Sequence, residues 1–304
     1  MAKKNVIFGY GYEGVQLYKK LLYSDRYEVI SFADNSMYKK GNIVDADTIK
    51  TVDELAELKD KIDFSVIIAA RKWYEIGEQL EEHNIPIEGV YQDGVLTEYQ
   101  RMSFEKLDLK KEITLYAGDI CDDVHISDPN LYGVSINKAD SRHILHDITH
   151  NYPLPDNCIF SYQAEDVLEH IDKEKIVDTI NEVYRILKPN GVFRVCLPDY
   201  FSPYLKKIVM RDKNGNILFD ATGGGEYGEG GVMNGGHVWF PNYINMKEIL
   251  GKTKFSKVDF LCYHTEDEKL VKKNIDYSKG YVKRIPTEME AGQPIYSLVV
   301  DCLK

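Results

Sequence analysis

Two hydrophobic periods alternate along this chain, and that alternation constrains the fold more than any other feature. Asn5–Phe8, Tyr27–Phe32, Asp63–Ala69 and Ile87–Tyr91 are short apolar runs of strand character. Between them Val15–Leu22, Val52–Leu58 and Tyr74–His83 carry helical spacing. Strands that alternate with helices imply a mostly parallel sheet covered on both faces. Residues 96–112 are polar, lack a buried-strand pattern and read as a linker. A second series then begins, with strand candidates Ile113–Ala117, Leu131–Ile136, His143–Leu145 and Cys158–Tyr162. Helical periodicity follows over Ala164–Leu187, broken by Pro189 and Gly191 ahead of the strand Val192–Leu197. Phe255–Tyr263 and Tyr296–Asp301 complete the strand series.

Charge narrows the partners. The formal net charge of the 304 residues is -11. Duplex affinity comes largely from Lys and Arg neutralising phosphates, so nucleic acid is not an expected partner. No apolar run reaches the roughly 18 residues of a membrane helix. The opening MAKKNVIFGYG passes straight into a strand without a small-residue cleavage site, so the chain reads as cytoplasmic, with no membrane partner. Cys121, Cys158, Cys196, Cys262 and Cys302 are scattered and form no CxxC pair; they read as free thiols, mostly buried. The spacing of His, Cys and acidic residues suggests no metal ligands.

Near the start, Phe8-Gly9-Tyr10-Gly11-Tyr12-Glu13-Gly14 fits GxGxxG between a strand and a helix. Gly9 would allow the tight turn, Gly11 would let the backbone approach a phosphate, and Gly14 would let helix and strand pack closely. Asp34 follows the second strand, where a ribose-binding acid would sit. The same glycines serve any tight strand-to-helix turn, and Asp34-Asn35 is also a turn pair. No Tyr-x-x-x-Lys pair starts at Tyr23 or Tyr74, so hydride transfer with NAD is the weaker alternative. The stretch is similar to small Rossmann-type domains at the front of some sugar-modifying acyltransferases and methyltransferases.

In the second half, Pro153-Leu154-Pro155-Asp156, Ile159–Tyr162, Val167-Leu168-Glu169-His170, Arg185-Ile186-Leu187-Lys188-Pro189-Asn190-Gly191 and Leu197-Pro198-Asp199 form an ordered series. It resembles the central stretch of class I S-adenosylmethionine-dependent methyltransferases, in particular the bacterial branch associated with surface polysaccharides. The likeness covers roughly residues 113–304. It implies an α/β chain of two Rossmann-like doubly wound domains, residues 1–95 and 113–304, the second with an antiparallel last strand. By this resemblance Gly118 and Asp119 approach the methionine part of S-adenosylmethionine. Ser135 lies at the ribose, Asp147 at the adenine amino group, and Gln163 and Ala164 near the sulfonium. Two departures stand out: Ala117-Gly118-Asp119-Ile120 has one glycine where the family has a looser turn, and Ser135 and Asn137 replace an acid.

His170 is a general-base candidate because imidazole titrates near working pH, and His237 could meet the acceptor from the opposite side. Glu165 and Asp166 read as caps of a helix that opens there. Gly223–Gly236 holds too many glycines for ordinary helix or strand and reads as an active-site cover or a surface loop. Lys279–Arg284 offers basic contacts for an acidic acceptor, or a solvated charge run. The expected activity is methyl transfer to a sugar, nucleotide-sugar or phosphorylated saccharide precursor, with a nucleotide site at Gly9, Gly11, Gly14 and Asp34. The rival is a catalytically silent scaffold on the same fold. A homo-oligomer is left open.

Overall fold

The computed structural model describes residues 2–36, 38–39, 43–44, 47–120, 127–282 and 294–304. Cys121, Lys283 and Arg284 lie outside the described residues. The chain divides into two compact units, residues 1–101 and 102–304.

In the first unit the apolar runs become β1 (Lys3–Phe8), β2 (Tyr27–Ala33), β3 (Ser65–Ile68) and β4 (Ile87–Gln92). Helices α1 (Tyr12–Leu21), α2 (Val52–Lys59) and α3 (Trp73–Glu82) alternate with them. The strands pair in parallel in the order β2-β1-β3-β4, and β5 (Val95–Thr97) adds an antiparallel edge. Helix α1 turns Gly14, Leu17 and Leu21 inward, the i, i+3, i+7 stripe of an amphipathic helix. Helix α2 starts at a capping box in which Thr51 and Glu54 satisfy each other's backbone N–H.

The second unit is built on an eight-stranded sheet. Its strands are β6 (Thr114–Ala117), β7 (Leu131–Ser135), β8 (His143–Leu145), β9 (Ile159–Glu165) and β10 (Leu187–Pro198), joined by β11 (Lys257–His264), β12 (Leu270–Lys272) and β13 (Ser297–Leu303). They pair in the order β8-β7-β6-β9-β10-β13-β11-β12. The first five are parallel, and β13 inserts antiparallel to both β10 and β11. This strand order, with a reversed strand between β10 and β11, is the class I methyltransferase arrangement. Leu115, Ala117, Tyr162, Ala164, Val195, Leu197, Leu298 and Val300 alternate toward one buried core. Helix α4 (Ile176–Ile186) covers it with Ile176, Ile180, Val183 and Ile186. Phe104 and Leu107, inside the stretch read as linker, are buried in this same core.

Two boundaries differ from the sequence reading. Strand β9 runs on through Glu165, so Glu165 ends a strand rather than capping a helix, and Asp166 turns the chain with φ +56. Only the stretch from Ile176 is α-helical, because two short 3₁₀ turns, Leu168–His170 and Lys173–Lys175, intervene. The Lys-Pro-Asn-Gly sequence does not end that helix. Leu187 already pairs with Ile159, and the residues up to Val192 bulge from the strand, with Asn190 at φ +66. The glycine segment also departs from expectation. Glu226–Gly228 and Gly231–Met233 pair as a short antiparallel hairpin, made feasible by glycines at positive φ, such as Gly225 and Gly231, on either side of its first strand. Cys158, Cys196, Cys262 and Cys302 are buried free thiols. Among the described residues no helix is long and apolar enough to cross a membrane.

Candidate functional site

In an open α/β sheet a ligand sits beyond the carboxyl ends of the strands, where the strand order reverses. In the second unit that reversal lies between β6 and β9. A crevice of about 370 Å³ opens there, lined by Gly118, Ser135, Asp147 and Val167 from the ends of β6, β7, β8 and β9. Asp119, His170 and Lys175 stand around it as well. Of the residues expected to meet the methyl donor, Gly118, Asp119, Ser135 and Asp147 come together.

Gly118 has φ +95 and donates its N–H to Val134 O at 2.7 Å, which ties the ends of β6 and β7. A Cβ there would meet only Val167 Cγ2 at 3.6 Å, so the backbone faces open space. The next turn is held by a residue the sequence reading passed over. Ile120 N–H donates to His143 Nε2 at 2.8 Å, and His143 Nδ1 donates to Asp140 Oδ1 at 2.8 Å. An imidazole that accepts at one nitrogen and donates at the other is neutral, with its tautomer fixed. Its ring also occupies the space a side chain at Gly133 would need, since a Cβ there would lie 2.4 Å from His143 Cδ2. The Asp140-x-x-His143 spacing was the available signal.

Ser135 is buried and its Oγ accepts from Asn137 N–H at 3.0 Å, which leaves the hydroxyl proton to donate. Asp147 is half-buried. One carboxylate oxygen accepts from Thr149 N–H at 2.9 Å and from Thr149 Oγ1 at 2.8 Å. Burial works to raise its pKa, but the two Thr149 bonds outweigh it and hold the carboxyl below its usual range. An ionised acid therefore faces the crevice while also fixing its own turn.

Gln163 and Ala164 do not line the crevice. Because β9 continues to Glu165, its carboxyl end lies beyond both residues. Ala164 is packed in the core. Gln163 points to the other sheet face and donates to Tyr281 O. On that face Arg194 forms a buried two-bond pair with Asp301, each bond 2.8 Å, and donates to Asp276 O and Gly280 O. The segment around Lys279–Tyr281 is thereby stitched to the sheet rather than left as a free charge run.

His170 stands exposed at the crevice, and its Nδ1 donates to Gly235 O at 2.7 Å. His237 is buried and lies edge-on to it, ring centroids 4.7 Å apart. The glycine segment delivers His237. Val238 N–H donates to Glu169 O at 2.9 Å and Trp239 Nε1 to Leu168 O at 2.8 Å. Gly223 leaves room for the imidazole, because a Cβ there would lie 2.5 Å from its ring. Buried Glu169 places Oε1 3.7 Å from His237 Nε2, and Tyr200 bridges His237 Nδ1 to Asp220. Burial would raise the Asp220 pKa, yet hydrogen bonds from Thr222 and Tyr200 keep it below the usual carboxylate range. Sequence spacing suggested no metal set, whereas Glu169, His170 and His237 converge here from distant stretches of chain.

In the first unit Gly9, Gly11 and Asp34 line a separate pocket of about 390 Å³ with Lys39 and Arg71. Gly9 has φ +111, and a Cβ at Gly14 would lie 1.9 Å from Gly9 O, so these two glycines serve the turn and its packing. Gly11 meets nothing within 4 Å, which leaves its backbone approachable. Asp34 accepts from Tyr10 N–H at 2.7 Å, from Ser36 N–H at 2.8 Å and from Lys39 Nζ at 3.0 Å.

Residues 110–195 match the family described as methyltransferase domain. No curated protein matches the chain. Among solved structures, an S-adenosylmethionine-dependent methyltransferase from Archaeoglobus fulgidus is 16% identical with TM-score 0.40, covering 66% of this chain and 90% of that one. One from Thermotoga maritima, described as a possible histamine N-methyltransferase, is 17% identical with TM-score 0.37, covering 64% and 83%. Residues 110–195 thus match a methyltransferase domain, and the second unit, which contains them, has the strand order of the class I methyltransferase fold.

Proposed function

We propose that the second unit binds S-adenosylmethionine in the crevice at Gly118, Ser135 and Asp147 and transfers its methyl group to a polar small molecule in the cytoplasm. The observation that carries this reading is the convergence of four strand ends on one crevice, with the open backbone of Gly118 at one wall and ionised Asp147 at another. A crevice of this size suits a nucleoside-sized ligand. The sulfonium donor is already activated, so the domain's own work is alignment of donor and acceptor and removal of a proton from the acceptor. His170, at the rim, has its Nδ1 committed to Gly235 O, which leaves Nε2 to take that proton. Lys175 at the same rim, 3.9 Å from Asp172, is the cation that would meet a phosphorylated saccharide or a nucleotide-linked sugar. In the first unit, the approachable Gly11 backbone beside Lys39 and Arg71 supports binding of a phosphate-bearing nucleotide.

Calorimetric titration of the full chain with S-adenosylhomocysteine tests the donor site. Binding is expected, and Asp147→Ala is expected to weaken it roughly 10- to 100-fold, the worth of a lost charge-assisted bond. Absence of binding in the unaltered chain would leave the silent-scaffold reading. His170→Ala should lower turnover while keeping donor affinity; unchanged turnover would remove His170 as the base.

A further inference from the structure

We propose that Glu169, His170 and His237 bind a divalent transition-metal ion of zinc-like preference at the rim of the crevice. One donor atom from each residue lies within 4.8 Å of the other two. His237 Nε2 and Glu169 Oε1 stand 3.7 Å apart. That is too long for a hydrogen bond, and close to the roughly 3.4 Å between two ligands each about 2.0–2.1 Å from one tetrahedral ion.

The surroundings fix the donor atoms. A carbonyl can only accept, so the bond to Gly235 O puts a proton on His170 Nδ1. Tyr200 gives its own proton to Asp220 at 2.7 Å, so His237 Nδ1 donates to the Tyr200 oxygen. Both imidazoles thus carry a proton on Nδ1, which makes Nε2 the ring nitrogen that a metal ion would take. Metal-ligating histidines are oriented in this way, by a hydrogen bond from the other ring nitrogen to an oxygen. The backbone bonds from Val238 and Trp239 to the Leu168–Glu169 turn hold His237 in register with Glu169. Two imidazoles and one carboxylate suit zinc, iron or cobalt better than magnesium or calcium. His170 is exposed, so a coordination position can face the crevice. On the methyl-transfer reading, an ion there would polarise an acceptor hydroxyl and would occupy the His170 Nε2 that otherwise serves as the base, so the two roles of His170 exclude each other; binding of the ion does not depend on that reading.

The test is Co²⁺ binding to the chelator-treated full chain, followed by visible absorption, with displacement by Zn²⁺ measured by calorimetry. Stoichiometric d–d bands that Zn²⁺ abolishes are expected. Tyr200→Phe should weaken binding about 10- to 100-fold, as loss of a ligand-orienting partner does, and His237→Ala or Glu169→Gln should weaken it further. Because those residues are buried, His170→Asn at the exposed position gives an independent variant, and circular dichroism checks that each variant folds. No bands, or bands unchanged in His170→Asn and Tyr200→Phe, would overturn the proposal. Donor binding without metal binding sinks the metal site alone, whereas metal binding without donor binding sinks the donor site alone.

Discussion

Both units turn from their first strand into a loop beside a ligand-sized pocket, and they stabilise that turn by different means. In the first unit the glycines do most of it. Gly9 is at positive φ against Ala69 O, and Gly14 packs directly on Gly9 O. Asp34 then accepts from Tyr10 N–H. In the second unit a single glycine turns the chain, and the brace is the neutral ring of His143, which accepts from Ile120 N–H. The two bracing bonds are nearly equal in length, 2.7 and 2.8 Å. The lesson is that a degenerate glycine motif need not mean a collapsed turn. A side chain reaching across from two strands away can supply the order that a missing glycine would have supplied.

The sharpest way to break this comparison is Gly9→Ala. The new Cβ would lie 2.4 Å from Ala69 O in a backbone conformation that L-residues avoid. Strain of about 1–3 kcal/mol and overpacking of about 1–3 kcal/mol together predict a loss of roughly 3 kcal/mol or more. Trp73 and Trp239 report separately, since one lies in each unit. In a Trp239→Phe background, the urea midpoint followed by Trp73 fluorescence should fall sharply. A midpoint unchanged by Gly9→Ala would mean that the first turn does not depend on its glycines.

His143→Ala should have the next largest effect, on the second unit. It orphans the Ile120 N–H and empties the space beside Gly133, a cost of about 2–3 kcal/mol. Trp239 fluorescence in a Trp73→Phe background reads it. Gly118→Ala should cost less, about 1–2 kcal/mol for the positive φ alone, because its Cβ meets only Val167 Cγ2. Its added methyl enters the crevice, however, so S-adenosylhomocysteine affinity should suffer more than stability. The same substitution would then break a fold in one unit and a site in the other.

The sequence made the strands legible because their apolar runs must be buried on both faces of a parallel sheet, and a run such as Val66-Ile67-Ile68 has few other destinations. It placed Gly118, Ser135 and Asp147 because each sits at a strand end, where position in the chain fixes position in space. It misplaced Gln163 and Ala164 for a related reason. The end of β9 was read about three residues early, and in a strand a single step sends a side chain to the opposite face. Tyr200 and Asp220 were invisible because their roles exist only after distant segments pack, and for His143 the Asp140-x-x-His143 spacing was the one signal. The glycine segment was read as holding no strand, since composition reports backbone freedom but neither the hairpin it forms nor the ring of His237 that Gly223 must accommodate.

The smallest expected effect concerns how the second turn responds to acid. Burial would raise the Asp140 pKa, but hydrogen bonds from His143 and the Arg142 backbone hold it below its ordinary 3.8. A carboxyl depressed on folding stabilises fully above its unfolded pKa and loses that contribution as pH falls through the lower folded value. The contribution of Asp140 to the His143 brace should therefore fade below about pH 4, where protonated Asp140 accepts from Nδ1 less strongly. Asp140→Asn retains an acceptor of similar shape but does not titrate. The difference in urea midpoint between the two proteins, read by Trp239 in the Trp73→Phe background, should amount to less than about 1 kcal/mol at neutral pH and should shrink further below pH 4. A gap that stays constant into acid would show that Asp140 stabilises the turn through shape rather than charge. The second turn would then rest on packing, as the first does.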